Sequence, residues 1–193
     1  MSYTIKGDAD ELAVPILGED INGDKDYFVR DTYTGSIGAM GSAHLKGHQG
    51  KGFYAYYYNS ALTNGSSAEI VLANPAASYP HVVIYILTEG NSEIFTFEGT
   101  TTSADGTSIA SINRNRNSAN TADLVVTHTP TITADGTEIY HDYIIGGIKN
   151  KATGGTDGFS DEIIMKPSTK YLIRVTNDSG ADEIVSVSIH WYE

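Results

Sequence analysis

The chain closes on a stretch that leaves little choice of structure, Glu183-Ile-Val-Ser-Val-Ser-Ile-His-Trp-Tyr-Glu193. Val185, Val187, Ile189 and Trp191 fall in one phase of a two-residue period; Ser186, Ser188, His190 and Tyr192 fall in the other. Successive side chains of a strand point to opposite faces, so the first set is expected in a core and the second outside it. Burying Trp191 alone is worth on the order of 3 kcal/mol. A chain end frays unless a sheet ties it down. The segment is therefore expected as a central strand whose other face, with His190 and Tyr192, is open to a partner subunit.

The same period, cut into short pieces by turn residues, runs upstream. Tyr54-Ala-Tyr-Tyr-Tyr58 is a near-continuous aromatic strand, followed by Glu69 to Leu72. His81-Val-Val-Ile-Tyr-Ile-Leu87 lacks alternation and is expected to be covered on both faces. Glu93-Ile-Phe-Thr-Phe97 alternates, and the Glu-Gly-Asn-Ser between these two predicts a hairpin. Further strands are expected over 108–112, 123–126, 138–145, 162–165, 171–176 and 184–192. No amphipathic helix of three turns is evident. About ten short strands, spaced by Asn, Asp, Gly, Ser or Pro, predict an all-β fold: a jelly-roll-like antiparallel β-sandwich over residues 51–193. Residues 1–50, richer in Gly and acids, are expected as an N-terminal arm or peripheral lobe. In it a strand falls within 24–34, and the first twenty residues lack strand periodicity. Ala104-Asp-Gly-Thr-Ser-Ile109 and Ala134-Asp-Gly-Thr-Glu-Ile139 echo each other, each an Asp-Gly turn opening a strand.

Charge and composition narrow the function. With 24 acidic against 12 basic residues the formal net charge is -12, which argues against a large phosphate-binding surface and hence against nucleic acid as partner. There is no Cys, so no disulfide or thiolate chemistry. No apolar run approaches the length of a spanning helix, so no membrane partner is expected. Thirteen Tyr against three Met and one Trp favour strands and half-polar interfaces.

Asp20-Ile-Asn-Gly-Asp-Lys-Asp26 spaces its oxygens like a calcium loop, but Lys25 stands where such a loop needs glycine, and a solvated acidic turn is the better reading. His44 and His48 have the spacing of a helical metal pair, yet their glycine-rich surroundings predict a turn with structural histidines. No nucleophile elbow or phosphate loop occurs. The chain is read as a non-enzyme, with no catalytic residue, metal ligand or cofactor assigned. Ser111-Ile-Asn-Arg-Asn-Arg-Asn-Ser118 puts Arg114 and Arg116 two apart. It is expected as an anchoring strand whose guanidinium groups fork to carboxylates.

Several ordered blocks add a resemblance. They are His44…His48-Gln-Gly50 leading to Phe53-Tyr54, Pro80-His81, Phe97-Glu-Gly99, Asn113 to Arg116 and Gly136-Thr137. The clearest are Met165-Lys-Pro-Ser-Thr-Lys-Tyr-Leu-Ile-Arg-Val-Thr-Asn177 and Ile189-His-Trp-Tyr-Glu193. Through these, residues 44–193 resemble the capsid decoration (cement, or head-stabilising) proteins of tailed bacteriophages. Where that family carries His-Glu-Gly this chain has His48-Gln49-Gly50, which removes a carboxylate from the turn. The resemblance implies a structural protein on the exterior of the phage head that binds the major capsid protein and bridges its subunits. It would act as a homo-oligomer, a homodimer favoured over a homotrimer. His44, His48, Arg114, Arg116, His190, Trp191 and Tyr192 are the candidate structural and assembly residues. The reading from a different class is a carbohydrate-binding β-sandwich, lectin-like or a fibre-tip module; the core phase of Trp191 counts against it.

Overall fold

The computed structural model describes residues 13–19, 25–30, 37–39, 42–75, 78–146, 154–156 and 162–193. The chain divides into two compact units, Met1–Leu45 and Lys46–Glu193. The 20–26 acidic segment lies largely outside the described residues.

In the smaller unit, β1 (Ala13–Glu19), β2 (Lys25–Arg30) and β3 (Ile37–Ala39) form an antiparallel sheet in that order. The reading of the first twenty residues as free of strand is thus corrected. Pro15 masked β1 in the sequence, since proline cannot donate to a ladder, but β1 is an edge strand, where proline is tolerated.

Helix α1 (Ser42–His48) spans the boundary between the units. Its seven residues correct the expectation of a turn around His44 and His48. Ala43, Leu45 and Lys46 are good helix formers, and the nearby glycines end the helix rather than prevent it. Lys51 N–H donates to the Lys46 carbonyl at 2.9 Å and Gly50 N–H to the Gly47 carbonyl at 3.1 Å, a paired C-terminal cap that needs the left-handed φ of 71° at Gly50.

The larger unit is an all-β antiparallel sandwich. Its strands are β4 (Gly52–Leu62), β5 (Ser67–Asn74), β6 (His81–Thr88), β7 (Ser92–Glu98), β8 (Thr101–Ala104), β9 (Thr107–Ile109) and β10 (Ile112–Asn113). They continue with β11 (Val125–His128), β12 (Thr131–Ala134), β13 (Thr137–Ile144), β14 (Gly154–Thr156), β15 (Ile163–Ile164), β16 (Thr169–Asn177) and β17 (Glu183–Tyr192). Sheet I runs β10-β4-β17-β6-β14, with β15 also on β6; sheet II runs β13-β7-β16-β5-β11-β9; β12 and β8 form a separate ribbon. The closing strand β17 is central in sheet I, as its alternation required.

The core lies between the sheets. Val185, Val187, Ile189 and Trp191 are buried against Ile70, Leu72, Ile94, Ile173 and Val175, and Trp191 stacks on Phe53 with centroids 5.8 Å apart. Consecutive strands often belong to opposite sheets. β6 and β7 do, so the expected hairpin is instead a corner. The buried carboxylate of Glu183 holds that corner, accepting from Gly90 N–H at 2.8 Å and from the Ser92 hydroxyl at 2.6 Å. Likewise the single strand expected over 108–112 is split: β9 pairs in sheet II and β10 in sheet I. In both places a strand with one apolar phase is satisfied best when its neighbour in sequence lies across the core.

The two Asp-Gly echoes have one structural role. Each carries the chain from a ribbon strand into sheet II, β8 to β9 and β12 to β13. Gly106 and Gly136 have φ of 82° and 96°, and a Cβ on either would meet backbone carbonyl atoms. The aspartates beside them grip β16: Asp105 takes Lys170 Nζ at 2.5 Å, and Asp135 takes both terminal nitrogens of Arg174 at 2.8 and 2.9 Å. Arg174 also donates from Nε to Glu69 and lies over the Phe97 ring, 5.4 Å from its centroid. Beneath the ribbon Val71, Phe97 and Leu172 make a second small core with Phe95 and Ile132. The ribbon thus covers the part of the outer face of sheet II around Val71, Phe97 and Leu172, while Val125 and Tyr143 on the same face stay exposed.

Candidate interaction surface

The outer face of sheet I is closed at one end, where Gly47 Cα lies 3.3 Å from the place a side chain on buried Gly52 would occupy, and is open around Tyr56, Tyr58, Tyr85 and Leu87. Register across its three central strands sets the outward side chains in rows: Tyr58–Ser186–Leu87, Tyr56–Ser188–Tyr85, Tyr54–His190–Val83 and Gly52–Tyr192–His81. Tyr56 and Tyr58 are more than half exposed, at 58% and 57%, and Tyr85 and Leu87 at 45% and 42%. The expectation that β6 is covered on both faces is therefore corrected. Val82, Ile84 and Ile86 are buried, whereas Tyr85 and Leu87 face outward without cover. A missing alternation meant two apolar faces, not two buried ones.

Ser188 sits between Tyr56 and Tyr85, and Ser186 between Tyr58 and Leu87, so the face is a shallow trough with large apolar side chains along both sides. Its one end is built from candidates that the sequence named. His190 stacks on Tyr54 with centroids 6.0 Å apart and meets the edge of Tyr85 at 5.3 Å. Tyr192 stacks on His81 at 4.7 Å, and His81 Nδ1 lies 3.2 Å from the Tyr192 hydroxyl and 3.1 Å from the Glu162 carboxylate. Arg114 crosses this end. Its Cδ lies 3.5 Å from the place a side chain on Gly52 would occupy, and Gly52 belongs to the outward row. Burial, and then the charge of Arg114, push His190 below its ordinary pKa, so its ring is neutral at neutral pH.

Arg114, His190 and Tyr192 therefore share one face. Trp191 points the other way into the core, which denies it to any surface ligand. The expected anchoring strand at 111–118 is corrected. Only Ile112–Asn113 is strand; the Arg114–Asn117 stretch turns away, and the asparagines do the anchoring. Buried Asn113 donates to the carbonyls of Gly50 at 2.8 Å and Asn120 at 3.1 Å. Asn115 donates to the His48 carbonyl at 2.9 Å. Arg114 and Arg116 are exposed and reach no carboxylate among the described residues. Short amide side chains satisfy backbone groups at close range, which long guanidinium groups on a turn do not.

His44 and His48 lie one turn apart on α1, both exposed. No three His, Asp or Glu side chains gather as metal ligands among the described residues. No helix among them is long and apolar enough to cross a membrane.

The residues missed by sequence reasoning are Tyr56, Tyr58, Tyr85 and Leu87. Their signal was present in the Tyr54-Ala-Tyr-Tyr-Tyr58 run, where tyrosine holds the outward phase three times. Against known proteins the chain matches no family model, no curated sequence and no solved structure.

Proposed function

We propose that this is a non-enzymatic virion protein that binds the outer surface of a phage capsid and stabilises the shell by bridging major capsid protein subunits. The observation that carries the reading is the bare tyrosine face of sheet I. Contiguous exposed apolar surface on a folded protein marks an interaction site. Tyrosine suits such a site, because its ring buries area while its hydroxyl stays satisfied at a wet rim. The resemblance in the blocks ending at Asn177 and Glu193 supplies the partner: those blocks form β16 and β17, central strands of the two sheets. On the head exterior, many copies acting as homo-oligomers hold neighbouring subunits together, and each modest interface adds to the work of separating them.

The test is co-sedimentation with undecorated phage heads. The wild type is expected in the pellet, and a Tyr56→Ser/Tyr58→Ser/Tyr85→Ser variant with an unchanged β spectrum in the supernatant. Failure of the wild type to bind heads contradicts the proposal.

One feature favours a carbohydrate-binding module instead. In the Tyr56–Ser188–Tyr85 row a hydroxyl lies between two aromatic side chains, an arrangement able to take a sugar ring. A positive glycan array without head binding supports that second reading.

A further inference from the structure

We propose that the basic corner at the head of the tyrosine face receives an acidic segment, a run of Asp or Glu side chains, of the major capsid protein. This inference rests on the capsid-docking reading above and names the chemistry that meets one end of it.

In a protein with twice as many acids as bases, a basic side chain finds a carboxylate easily. Those at the ribbon side of sheet II do: Lys166 meets Glu98, Lys170 meets Asp105, and Arg174 meets both Asp135 and Glu69. Lys51, Arg114 and Arg116 meet none among the described residues. Their two segments are stitched together. Arg114 N–H donates to the Gly52 carbonyl at 2.8 Å, next to Lys51, and Asn115 donates to the His48 carbonyl at 2.9 Å. Arg114 is thereby held at one end of the trough, with Lys51 and Arg116 in the same stitched segments.

Their position points to a ligand for the face. Arg114 lies over Gly52, and the next outward row holds Tyr54 and His190. A neutral His190 does not compete for an incoming carboxylate, and a guanidinium accepts one in a two-pronged pair. Phosphate backbones fit poorly, because the net charge of -12 repels a polyanion of that density everywhere outside this corner. A short acidic segment on an otherwise ordinary protein surface suffers far less repulsion. Such complementarity steers encounter and fixes register, while the tyrosines supply the apolar contact.

The experiment measures binding to undecorated heads across a salt series. Wild-type affinity is expected to fall at least about tenfold between low and moderately high salt. Arg114→Glu/Arg116→Glu should bind at least about tenfold more weakly at low salt and lose most of the salt dependence. Tyr56→Ser/Tyr58→Ser should bind more weakly at every salt concentration with the slope retained. Carbodiimide, which joins an amine to a carboxylate in contact with it, should couple Lys51 to Asp or Glu of the capsid protein. Head binding that ignores both salt and the charge reversal overturns the acidic-segment proposal and leaves the docking reading standing. Coupling of Lys51 on heads to this chain's own carboxylates alone, with none to the capsid protein, also overturns it. No head binding, with salt-sensitive binding to an acidic polysaccharide, overturns both.

Discussion

The two sheets of the sandwich cover the apolar middles of their outer faces differently. On sheet II the apolar outward phase, Val71, Phe97 and Leu172, is roofed by the β8–β12 ribbon, and the roof is fastened by Asp105–Lys170 and Asp135–Arg174. On sheet I the outward residues Tyr56, Tyr58, Tyr85 and Leu87 are exposed, and Lys51, Arg114 and Arg116 meet no carboxylate among the described residues. The same chain thus shows that it can cover a sheet face and pair its charges. In the proposed reading, the open part of sheet I is the surface that a partner covers.

The largest expected effect contrasts the two sides of one strand neighbourhood. Trp191→Ala, on the inner face of sheet I, should cost about 3–5 kcal/mol, read by denaturant unfolding. Tyr56→Ser, on the outer face, should change stability by about 0.5 kcal/mol or less. A Tyr56 variant as unstable as the Trp191 variant would mean that the face is core and would break the comparison.

Next comes the roof of sheet II. Asp135→Asn loses the two-pronged pair with Arg174 and should cost on the order of 1 kcal/mol, since Asp135 is partly exposed. Its pH dependence is signed. Hydrogen bonds from Arg174 hold the Asp135 carboxyl below its usual pKa, and Lys170 does the same for Asp105. The unfolded chain therefore binds more protons, and this stabilisation is complete above the ordinary carboxylate pKa and lost as pH falls through the lowered one. The melting temperature of Asp135→Asn should lie below that of the wild type at neutral pH, and the two should converge in strong acid.

Glu183, the carboxylate at the β6–β7 corner, has the opposite sign. Burial raises its pKa, so the folded state binds more protons, and stability declines as pH rises from the ordinary carboxylate pKa to the raised one. Glu183→Gln keeps partners for Gly90 N–H and Ser92 and should melt higher than wild type at neutral pH, with the gain vanishing in acid. An equal or lower melting temperature at neutral pH would show that the charge itself is needed there. A small effect of the opposite sign is expected at Thr96. Its hydroxyl is buried without a partner among the described residues, beside a cavity of about 10 Å³ lined by Leu72, Met165 and Tyr171. Thr96→Val should stabilise the fold by roughly 0.5–1 kcal/mol in the same unfolding assay.

The strands with one clean apolar phase were legible in the sequence. β17, β7 and β16 could be read from alternation because burial on one side is a local, period-two demand. Three kinds of feature were not. β8 and β12, rich in threonine, carry little apolar phase, and only the ribbon's pairing and its seat on sheet II make them strands. Whether Gly90 turns the chain back into the same sheet or over to the other depends on Glu183, more than ninety residues later. The bare face could not be separated from a buried one, because tyrosine is acceptable in both. For the candidate site, the outward phase of β17 gave His190 and Tyr192. Arg114 was named for the wrong reason, since the asparagines beside it do the anchoring.

The central claim, that the tyrosine face of sheet I is the docking surface, is tested most directly by tyrosine nitration of the folded protein alone and on undecorated phage heads, with modified sites located by mass spectrometry. Tyr79, 62% exposed and outside the rows of the face, serves as the internal reference. The account predicts that Tyr56, Tyr58 and Tyr85 react in the free protein and are protected on heads, while Tyr79 reacts in both. Equal reactivity of all four tyrosines with and without bound heads would contradict it.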